Sequence, residues 1–414
     1  MPNAPLNGAF LDTIGVEFEG VGIFARTLSE KLRDIIARDS GGNYPFQVTR
    51  DASVESMALP IVIGDSRHYV YEHNQFTRKI RSNRLGDSLA MGYEVVVEPS
   101  TVEDFEMYTT LILTAIQNCG DITSQRAATH FHVGYANNLR LLKNLLRICL
   151  WLDPLFFRLG GMGRRYRGFS NNSAYARPLL HPVCVPVGQD WSEEESPRRA
   201  RLRTQSPTSR RSTEEYVEVM NVQVALEATT LEQFWQAFGV FPSRLGISKY
   251  HPTRYSSFNF YALAVHNTIE CRHFNQSFNA PLVIAAGKLF RAAVELASLL
   301  GKHEVFDFPP GDSLREITIE EAATVMSTLR RWFSEKEVDN PPTEDEYELL
   351  MRTISDSSFT DLSDKPQLSH NRQFSLPRNL AEGAGLRFIT NPEMPSQVDI
   401  HTIRNRDMAE DYEG

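Results

Sequence analysis

The sequence predicts an α+β fold, in which a largely antiparallel sheet carries helices packed on one of its faces. Two observations support this prediction. Short segments in which apolar and polar residues alternate are interspersed with longer segments of helical periodicity that begin at capping residues. Their order lacks the strict βαβ repeat of a parallel sheet, and no internal repeat is visible along the chain.

Five segments are predicted to be strands because each is short, rich in β-branched or aromatic residues, and alternating in polarity. Successive side chains of a strand point to opposite faces of the sheet, so each segment should present two different faces. The five segments are Thr13–Glu19, Phe46–Arg50, Tyr93–Glu98, Thr129–Gly134 and Asn267–Phe274.

Capping residues mark the predicted helices. Ser100 and Glu103 form a capping-box pattern, which predicts a helix over 101–118 that Gly120 can end. Similar signals start helices after Thr229 with Glu232, after Asn279 with Pro281, and after Thr318 with Glu321. Periodicity alone predicts a further helix over 26–38.

Composition bounds the class of protein. With 41% hydrophobic residues among 414, the chain can bury a substantial core. Its 43 basic and 52 acidic residues give a formal charge of −9, which argues against a general nucleic-acid binder. The N-terminus lacks a cationic start followed by an apolar run, so we expect a cytoplasmic protein. The apolar stretch Leu141–Leu159 carries Lys143, Arg147 and Asp153, which favours a buried helix over a membrane span.

Composition also divides the chain. Residues 189–215 are rich in Glu, Ser, Pro and Arg and almost free of apolar residues, which predicts a flexible insertion. Beyond Glu304 the pattern predicts two amphipathic helices, followed after Asp356 by a polar, acidic tail. We therefore expect one domain over 1–303 and a helical extension with a polar tail over 304–414.

Four of the predicted strands carry an unusual set of polar side chains. In each of these strands, two charged or imidazole side chains lie an even number of positions apart and therefore project to the same face. The two side chains are a pair of acids, a pair of imidazoles, or an acid and a base. The four pairs are Glu17 and Glu19, Glu94 and Glu98, His130 and His132, and Glu270 and Arg272. A half-solvated strand is the plain interpretation of any one of them, but solvated faces usually mix Lys, Thr, Ser and Gln. Carboxylates suit Mg²⁺ or Mn²⁺, an imidazole can join them, and Arg holds phosphate, so a shared catalytic face is predicted.

In this order, these segments resemble the amidoligase family of carboxylate–amine ligases. The carrying motifs are GVEFE, GYEVVVEP, an HxH strand, and a distal Asn followed by TIECRHF, and the likeness spans residues 13–300. It implies a glutamine synthetase-like catalytic domain whose sheet has a concave catalytic face. Asp51-Ala52-Ser53 resembles a further DgS element. The chain departs from the family's usual residues at Ala52, Glu98, Thr129 and Cys271.

The resemblance implies an ATP-dependent ligase that joins a carboxylate to an amine through an acyl phosphate, with Mg²⁺ or Mn²⁺ as the cofactor ion. It implies metal ligands at Glu17, Glu19, Glu94, Glu98, His130 and Glu270. The resemblance implies catalytic roles for Glu270, Arg272 and His132. It implies nucleotide contacts for Arg272, Asn259 and Arg177. Which histidine binds metal stays open, since both share a face. For Asn259 a turn-capping role is equally consistent, and for the region of Arg177 a surface loop is the plainer interpretation.

The implied substrates are small-molecule or peptide carboxylates and amines, with neither nucleic acid nor membrane as a partner, and relatives of this fold often form homo-oligomers. Two other functions fit the same residues. One is an inactive relative that binds a peptide or protein partner. The other is a metal-dependent hydrolase or oxygenase built on the HxH strand, although such sites usually need a further histidine.

Overall fold

A computed structural model shows the fold of the chain. It describes fourteen stretches of the sequence, and the findings below concern these residues. They are 13–21, 25–40, 45–50, 59–63, 66–70, 92–118, 127–160, 179, 183–186, 215–239, 254, 256–301, 317–356 and 387–390.

Strands and helices mix along the chain, as the sequence predicts. The strands are β1 (Ile14–Val21), β2 (Phe46–Arg50), β3 (Leu59–Ile63), β4 (Ser66–Val70), β5 (Gly92–Ser100), β6 (Ala128–Gly134), β7 (Val183–Pro186), β8 (Glu215–Met220), β9 (Phe258–Asn259), β10 (Thr268–Asn275) and β11 (Arg387–Thr390). The helices are α1 (Ala25–Ser40), α2 (Val102–Asn118), α3 (Leu139–Gly160), α4 (Val222–Glu227), α5 (Leu231–Ala237), α6 (Tyr261–His266), α7 (Ala280–Leu299), α8 (Ile319–Glu335) and α9 (Glu344–Asp356).

The main sheet has six strands in the order β2-β5-β1-β6-β10-β9, and every neighbouring pair is antiparallel. A second sheet has the order β11-β8-β7, and β3 pairs with β4. The predicted α+β class with an antiparallel sheet is therefore confirmed. All five predicted strands lie in the main sheet, whereas β11 lies in the part of the chain predicted to be a polar tail.

One face of the main sheet forms the core with the helices. Val16, Phe131 and Phe274 project from three strands and are all buried. The Phe131 ring lies 5.2 Å from that of Phe274, and the Phe274 ring lies 5.4 Å from that of Phe156 in α3. Apolar residues at helical spacing in α2, α3 and α7 cover this face, which leaves the polar face of the sheet on the opposite side.

Helix starts follow the capping signals with two corrections of one residue. Thr318 and Asn279 cap α8 and α7 as predicted. The capping residue of α5 is Thr230, not Thr229, and it forms its capping box with Gln233. At α2 the backbone N–H of Asp104 donates to the Thr101 hydroxyl, so Thr101 takes the place predicted for Ser100. The cap must directly precede the first helical residue, and a neighbouring Ser or Thr gives the same sequence signal.

Helices α8 and α9 pack on the same core as the sheet through residues such as Leu329, Phe333 and Leu350. Buried charged residues on α7 connect helix α9 to the helices that pack on the main sheet. We call them, with their partners, the helix cluster: Lys288, Arg291, Glu295, Glu106 and Glu346. Lys288 Nζ lies 3.0 Å from Glu106 Oε1 and 2.9 Å from Glu346 Oε2, and Arg291 Nη1 lies 3.0 Å from Glu295 Oε2. The part of 304–414 that the structure describes as helical thus rests directly on the predicted catalytic domain.

Several predicted features lie outside the described residues. They are Asp51-Ala52-Ser53, Arg177, all of the 189–215 insertion except its last residue Glu215, and the predicted tail after Asp356 apart from β11. Within the described stretches, no helix is both long and apolar enough to cross a membrane.

Candidate functional site

The strand register brings distant polar residues together on the face of the sheet that lies away from the helices. Glu17 of β1 lies opposite His130 of β6. His132 of β6 lies opposite Glu270 of β10, and Glu270 in turn lies opposite Asn259 of β9. Residues paired in this way share a face, so these side chains project to the same side of the sheet. We call Glu17, His130, His132, Glu270 and Arg272 the sheet cluster.

Side-chain distances within the sheet cluster are short. Glu17 Oε2 lies 3.2 Å from His130 Nδ1, and Glu17 Oε1 lies 3.1 Å from His132 Nε2. Glu270 Oε1 lies 3.4 Å from His130 Nδ1 and 4.0 Å from His132 Nε2. Two carboxylates from opposite ends of the predicted domain therefore flank the same pair of imidazoles.

Glu270 is held by a second layer of contacts. The Arg272 guanidinium donates to Glu270 Oε1, and the Asn259 amide donates to Glu270 Oε2 over 2.5 Å. The Asn259 oxygen meanwhile accepts from the backbone N–H of Ala262 at the start of α6, over 3.3 Å. Asn259 thus has the capping role that the sequence left open and also orients Glu270. Each Glu270 oxygen keeps a further lone pair, because an ionised carboxylate accepts about four hydrogen bonds.

The remaining predicted acids differ in their distance from the sheet cluster. Glu19 Oε1 lies 4.0 Å from His130 Nε2, and Glu19 Oε2 accepts from the backbone N–H of Ala128 over 3.0 Å. Glu94 of β5 lies opposite Glu19 in the register, one strand further from β6. Glu98 lies at the exposed end of β5, and among the described residues it makes no ion pair with the cluster. The structure brings Glu17, Glu19 and Glu270 together and leaves Glu98 apart from them.

Electrostatics keep both central carboxylates ionised. Burial raises the pKa of Glu17, but charge on His132 and hydrogen bonds from His130 and His132 outweigh it and hold the pKa well below its ordinary value. Burial likewise raises the pKa of Glu270, but the Arg272 guanidinium and then the two imidazoles lower it to about 2. The cluster is therefore anionic at neutral pH on its carboxylate side.

The two histidines respond in opposite directions. Burial lowers the pKa of His130, and the nearby Arg272 lowers it further, so this imidazole is neutral at neutral pH. Burial also lowers the pKa of His132, but the charges of Glu17 and then Glu270 more than offset it and leave the pKa raised. Different pKa values on adjacent rings are typical of functional sites, where groups need separate protonation states.

Three ligand atoms of the sheet cluster suit a divalent cation. One atom each from Glu17, His132 and Glu270 lie within 4.8 Å of one another. Neighbouring ligands of an octahedral Mg²⁺ or Mn²⁺ stand about 3 Å apart, which matches the 3.1 Å between Glu17 Oε1 and His132 Nε2. His132 Nδ1 already has the Thr268 hydroxyl at 3.3 Å, which leaves its buried Nε2 to face Glu17 Oε1 at 3.1 Å and Glu270 Oε1 at 4.0 Å. A buried ring nitrogen that faces two carboxylates suits a shared divalent ion.

Sequence reasoning missed a second polar group, on the helix side of the sheet. His273 is fully buried, and its Nε2 lies 2.8 Å from Asp153 Oδ1 in α3. Asp153 also accepts a hydrogen bond from the Ser257 hydroxyl over 2.5 Å. Asp153 is the one acid in the stretch 141–159, which is predicted to be buried, and this was the signal that pointed to such a partner.

Comparison with known proteins adds no family to this geometry. A scan of protein-family models finds no match to the chain, and a search of curated proteins finds no matching relative. The resemblance to amidoligases therefore rests on the sequence motifs alone.

Proposed function

We propose that this protein is an ATP-dependent carboxylate–amine ligase with a glutamine synthetase-like catalytic sheet. The observation that supports the proposal best is the meeting of Glu17, His132 and Glu270 on one sheet face, with Arg272 bonded to Glu270. Acids, an imidazole and a guanidinium at one point are the groups that bind divalent cations and a polyphosphate together.

Glu17, Glu270 and His132 are the proposed ion ligands. Bound Mg²⁺ or Mn²⁺ would supply positive charge that neutralises the triphosphate oxygens. Mn²⁺ is the better match to a set that includes an imidazole, because Mg²⁺ prefers oxygen ligands alone. His130 and Glu19 complete the wall of the site, and the Nδ1–H of neutral His130 donates to Glu17.

Arg272 has two proposed tasks. Without a nucleotide it neutralises Glu270, which keeps that buried carboxylate ionised and ready to bind an ion. With a nucleotide, its planar guanidinium can hold oxygens of the phosphoryl group that is transferred, where negative charge must be stabilised. Asn259 fixes the orientation of Glu270 from the other side.

The proposed reaction has two steps. A carboxylate oxygen of the substrate attacks the γ-phosphorus of ATP, a new P–O bond forms, and the bond to the β,γ-bridging oxygen breaks to release ADP. The amine nitrogen then attacks the carbonyl carbon of the acyl phosphate, inorganic phosphate leaves with the C–O electron pair, and the nitrogen loses a proton. The products are an amide, ADP and phosphate, and since the reaction consumes ATP we assign it to the cytoplasm.

The experiment incubates the purified protein with ATP, Mg²⁺ or Mn²⁺, and sets of amino acids and short peptides, and measures ADP and phosphate. We expect ADP release that requires both a carboxylate and an amine. Turnover without ATP would favour a metal-dependent hydrolase instead. Metal binding without any ATP turnover, together with capture of a peptide or protein, would favour a catalytically inactive binding module.

A further inference from the structure

Strand β10 contains one extra residue beside the sheet cluster. Cys271 lies opposite Phe131 and Phe274 lies opposite Thr129, so three steps along β10 match two steps along β6. This is a β-bulge, and it sets two residues of β10 against a single residue of its neighbour. Arg272 turns to the cluster side and bonds Glu270, whereas His273 turns into the core.

The core side of the bulge is anchored by one buried carboxylate, Asp153. Its Oδ1 accepts hydrogen bonds from the Ser257 hydroxyl over 2.5 Å and from His273 Nε2 over 2.8 Å, and its Oδ2 accepts from the backbone N–H of Leu179 over 3.0 Å. We call Asp153, Leu179, Ser257 and His273 the Asp153 clamp. Three separate segments of the chain thus meet at one carboxylate in helix α3.

The hydrogen bonding defines the protonation of His273. Asp153 accepts a hydrogen bond from the Nε2–H of His273, so Nδ1 is left to accept one from the Cys271 thiol, whose sulfur is 3.2 Å away. Burial lowers the pKa of His273 despite the charge of Asp153, and burial raises the pKa of Cys271 well above its ordinary value. Both groups therefore keep the neutral forms that this chain of hydrogen bonds needs.

Each clamp residue on the sheet side adjoins a residue of the candidate site. Ser257 lies two positions before Asn259, and its carbonyl accepts the backbone N–H of Arg272 over 2.8 Å. His273 directly follows Arg272 in the sequence. Asp153 therefore grips the two backbone segments that carry Asn259, Glu270 and Arg272.

Packing around the clamp leaves it little freedom. The His273 ring lies 4.5 Å from that of Phe157 and 4.4 Å from that of Phe258. At the end of α3, a Cβ added to Gly160 would lie 2.2 Å from the carbonyl oxygen of His273, so only glycine permits this approach of helix to bulge. The bulge is thus fixed from behind by side chains and by backbone.

We propose that the Asp153 clamp is a positioning device, which holds the bulge of β10 and thereby aims Glu270 and Arg272 into the sheet cluster. A buried carboxylate is costly unless it is fully hydrogen-bonded, and apolar residues could fill the same space. The proposed function supplies the chemistry that the clamp would serve, but the position of Glu270 can be tested without it.

The test compares His273→Phe, which keeps an aromatic ring but cannot donate to Asp153, with Ser257→Ala, which removes a single hydroxyl. The control is Asn144→Ala in the same helix, because Asn144 is buried and donates to the carbonyl of Leu300, away from β10. Thermal unfolding measures stability, and the imidazole ¹⁵N chemical shifts of His130 and His132 report their surroundings in the metal-free protein.

We expect both clamp variants to shift the His130 and His132 signals, because these rings lie 3.4 Å and 4.0 Å from Glu270 Oε1. We also expect His273→Phe to weaken Mn²⁺ binding about tenfold or more, as loss of supporting hydrogen bonds does at metal sites. His273→Gln, which can donate again, should restore part of the affinity. Asn144→Ala should lose stability with unchanged signals and Mn²⁺ affinity.

Unchanged His130 and His132 signals in a folded Ser257→Ala and a folded His273→Phe would overturn the proposal. The same shifts in Asn144→Ala would also overturn it, since they would reflect a general loss of stability. If the wild-type protein bound no Mn²⁺, the proposed ligase site would fail, while the chemical shifts would still decide whether the clamp positions Glu270.

Discussion

The sheet cluster and the helix cluster bury the same kinds of charge but arrange them differently. In the helix cluster each carboxylate contacts a permanent cation, Lys288 or Arg291, within 3.0 Å. In the sheet cluster Arg272 bonds Glu270, and Glu17 contacts two imidazoles. The pairing in the helix cluster joins packed helices, whereas ionised acids whose partners are titratable imidazoles indicate a place for a ligand.

The largest expected effect tests the sheet cluster directly. Glu17→Gln and Glu270→Gln should each abolish turnover and lower the affinity for Mn²⁺ by at least about a hundredfold, because each removes a charged ion ligand. The fold should persist in both. Isothermal titration with Mn²⁺, the ADP assay and circular dichroism measure these outcomes.

Glu103→Gln is the control for these two variants, because it removes a carboxylate from the exposed first turn of α2. It should bind Mn²⁺ like the wild type. Wild-type affinity in Glu17→Gln as well would mean that the ion, if it binds at all, uses other ligands.

A second prediction reverses the pattern in the helix cluster. Arg291→Met should lower the free energy of unfolding by about 3–5 kcal/mol, because Glu295 would then be a buried carboxylate without its cation. Mn²⁺ affinity should stay unchanged in the folded protein. Chemical denaturation measures the free energy of unfolding, and titration with Mn²⁺ under conditions where the variant is folded measures the affinity. A loss of Mn²⁺ affinity without a loss of stability would contradict the different roles of the two clusters.

The third prediction concerns pH and the Asp153–His273 pair. Burial lowers the pKa of His273 from its ordinary 6.5, so its contribution to stability is full above that pH and is lost as the pH falls through the lowered value. The corresponding slope is at most about 1.4 kcal/mol per pH unit. His273→Gln should remove this part of the pH dependence, which lies below about pH 6.5.

Denaturation of wild type and His273→Gln at matched pH values measures the difference, so that the titration of all other groups cancels. Identical slopes would show that His273 carries the same proton in the folded and unfolded states.

The smallest expected effect is at the surface. Arg331 and Glu335 of α8 lie 3.7 Å apart, with side chains that are 64% and 57% exposed. Solvent weakens such a pair, and Arg331→Ala should cost only about 0.3–0.5 kcal/mol. A larger loss in thermal unfolding would show that exposed pairs matter here as much as the buried helix cluster.

Much of this architecture could be predicted from the sequence, because alternation and capping are local signals. The pairs Glu17 with Glu19 and His130 with His132 fall on one strand face by parity alone, and the strand order then brings them together. The convergence of Glu17 and Glu270 also agrees with prediction, although their roles as ion ligands stay predictions.

Other features depend on tertiary structure and left weaker traces. The bulge between Cys271 and Phe274 has no signature in the local alternation, because it depends on the register with β6. Asp153 signalled only that a buried acid needs a partner, not that the partner is His273. Glu98 has the parity of a site residue, but it lies at the exposed end of β5, and strand parity carries no information on distance along the sheet.

The extra residue in β10 makes this short stretch sensitive to chain length as well as to side-chain chemistry. Removing one residue between Cys271 and Phe274 would restore regular alternation with β6, and Glu270 and Phe274 would keep their faces. The strand would then have one position where it now has two, so it could no longer present both Arg272 to the sheet cluster and His273 to the Asp153 clamp. Any redesign of this protein should therefore preserve the number of residues in that segment before it considers their identity.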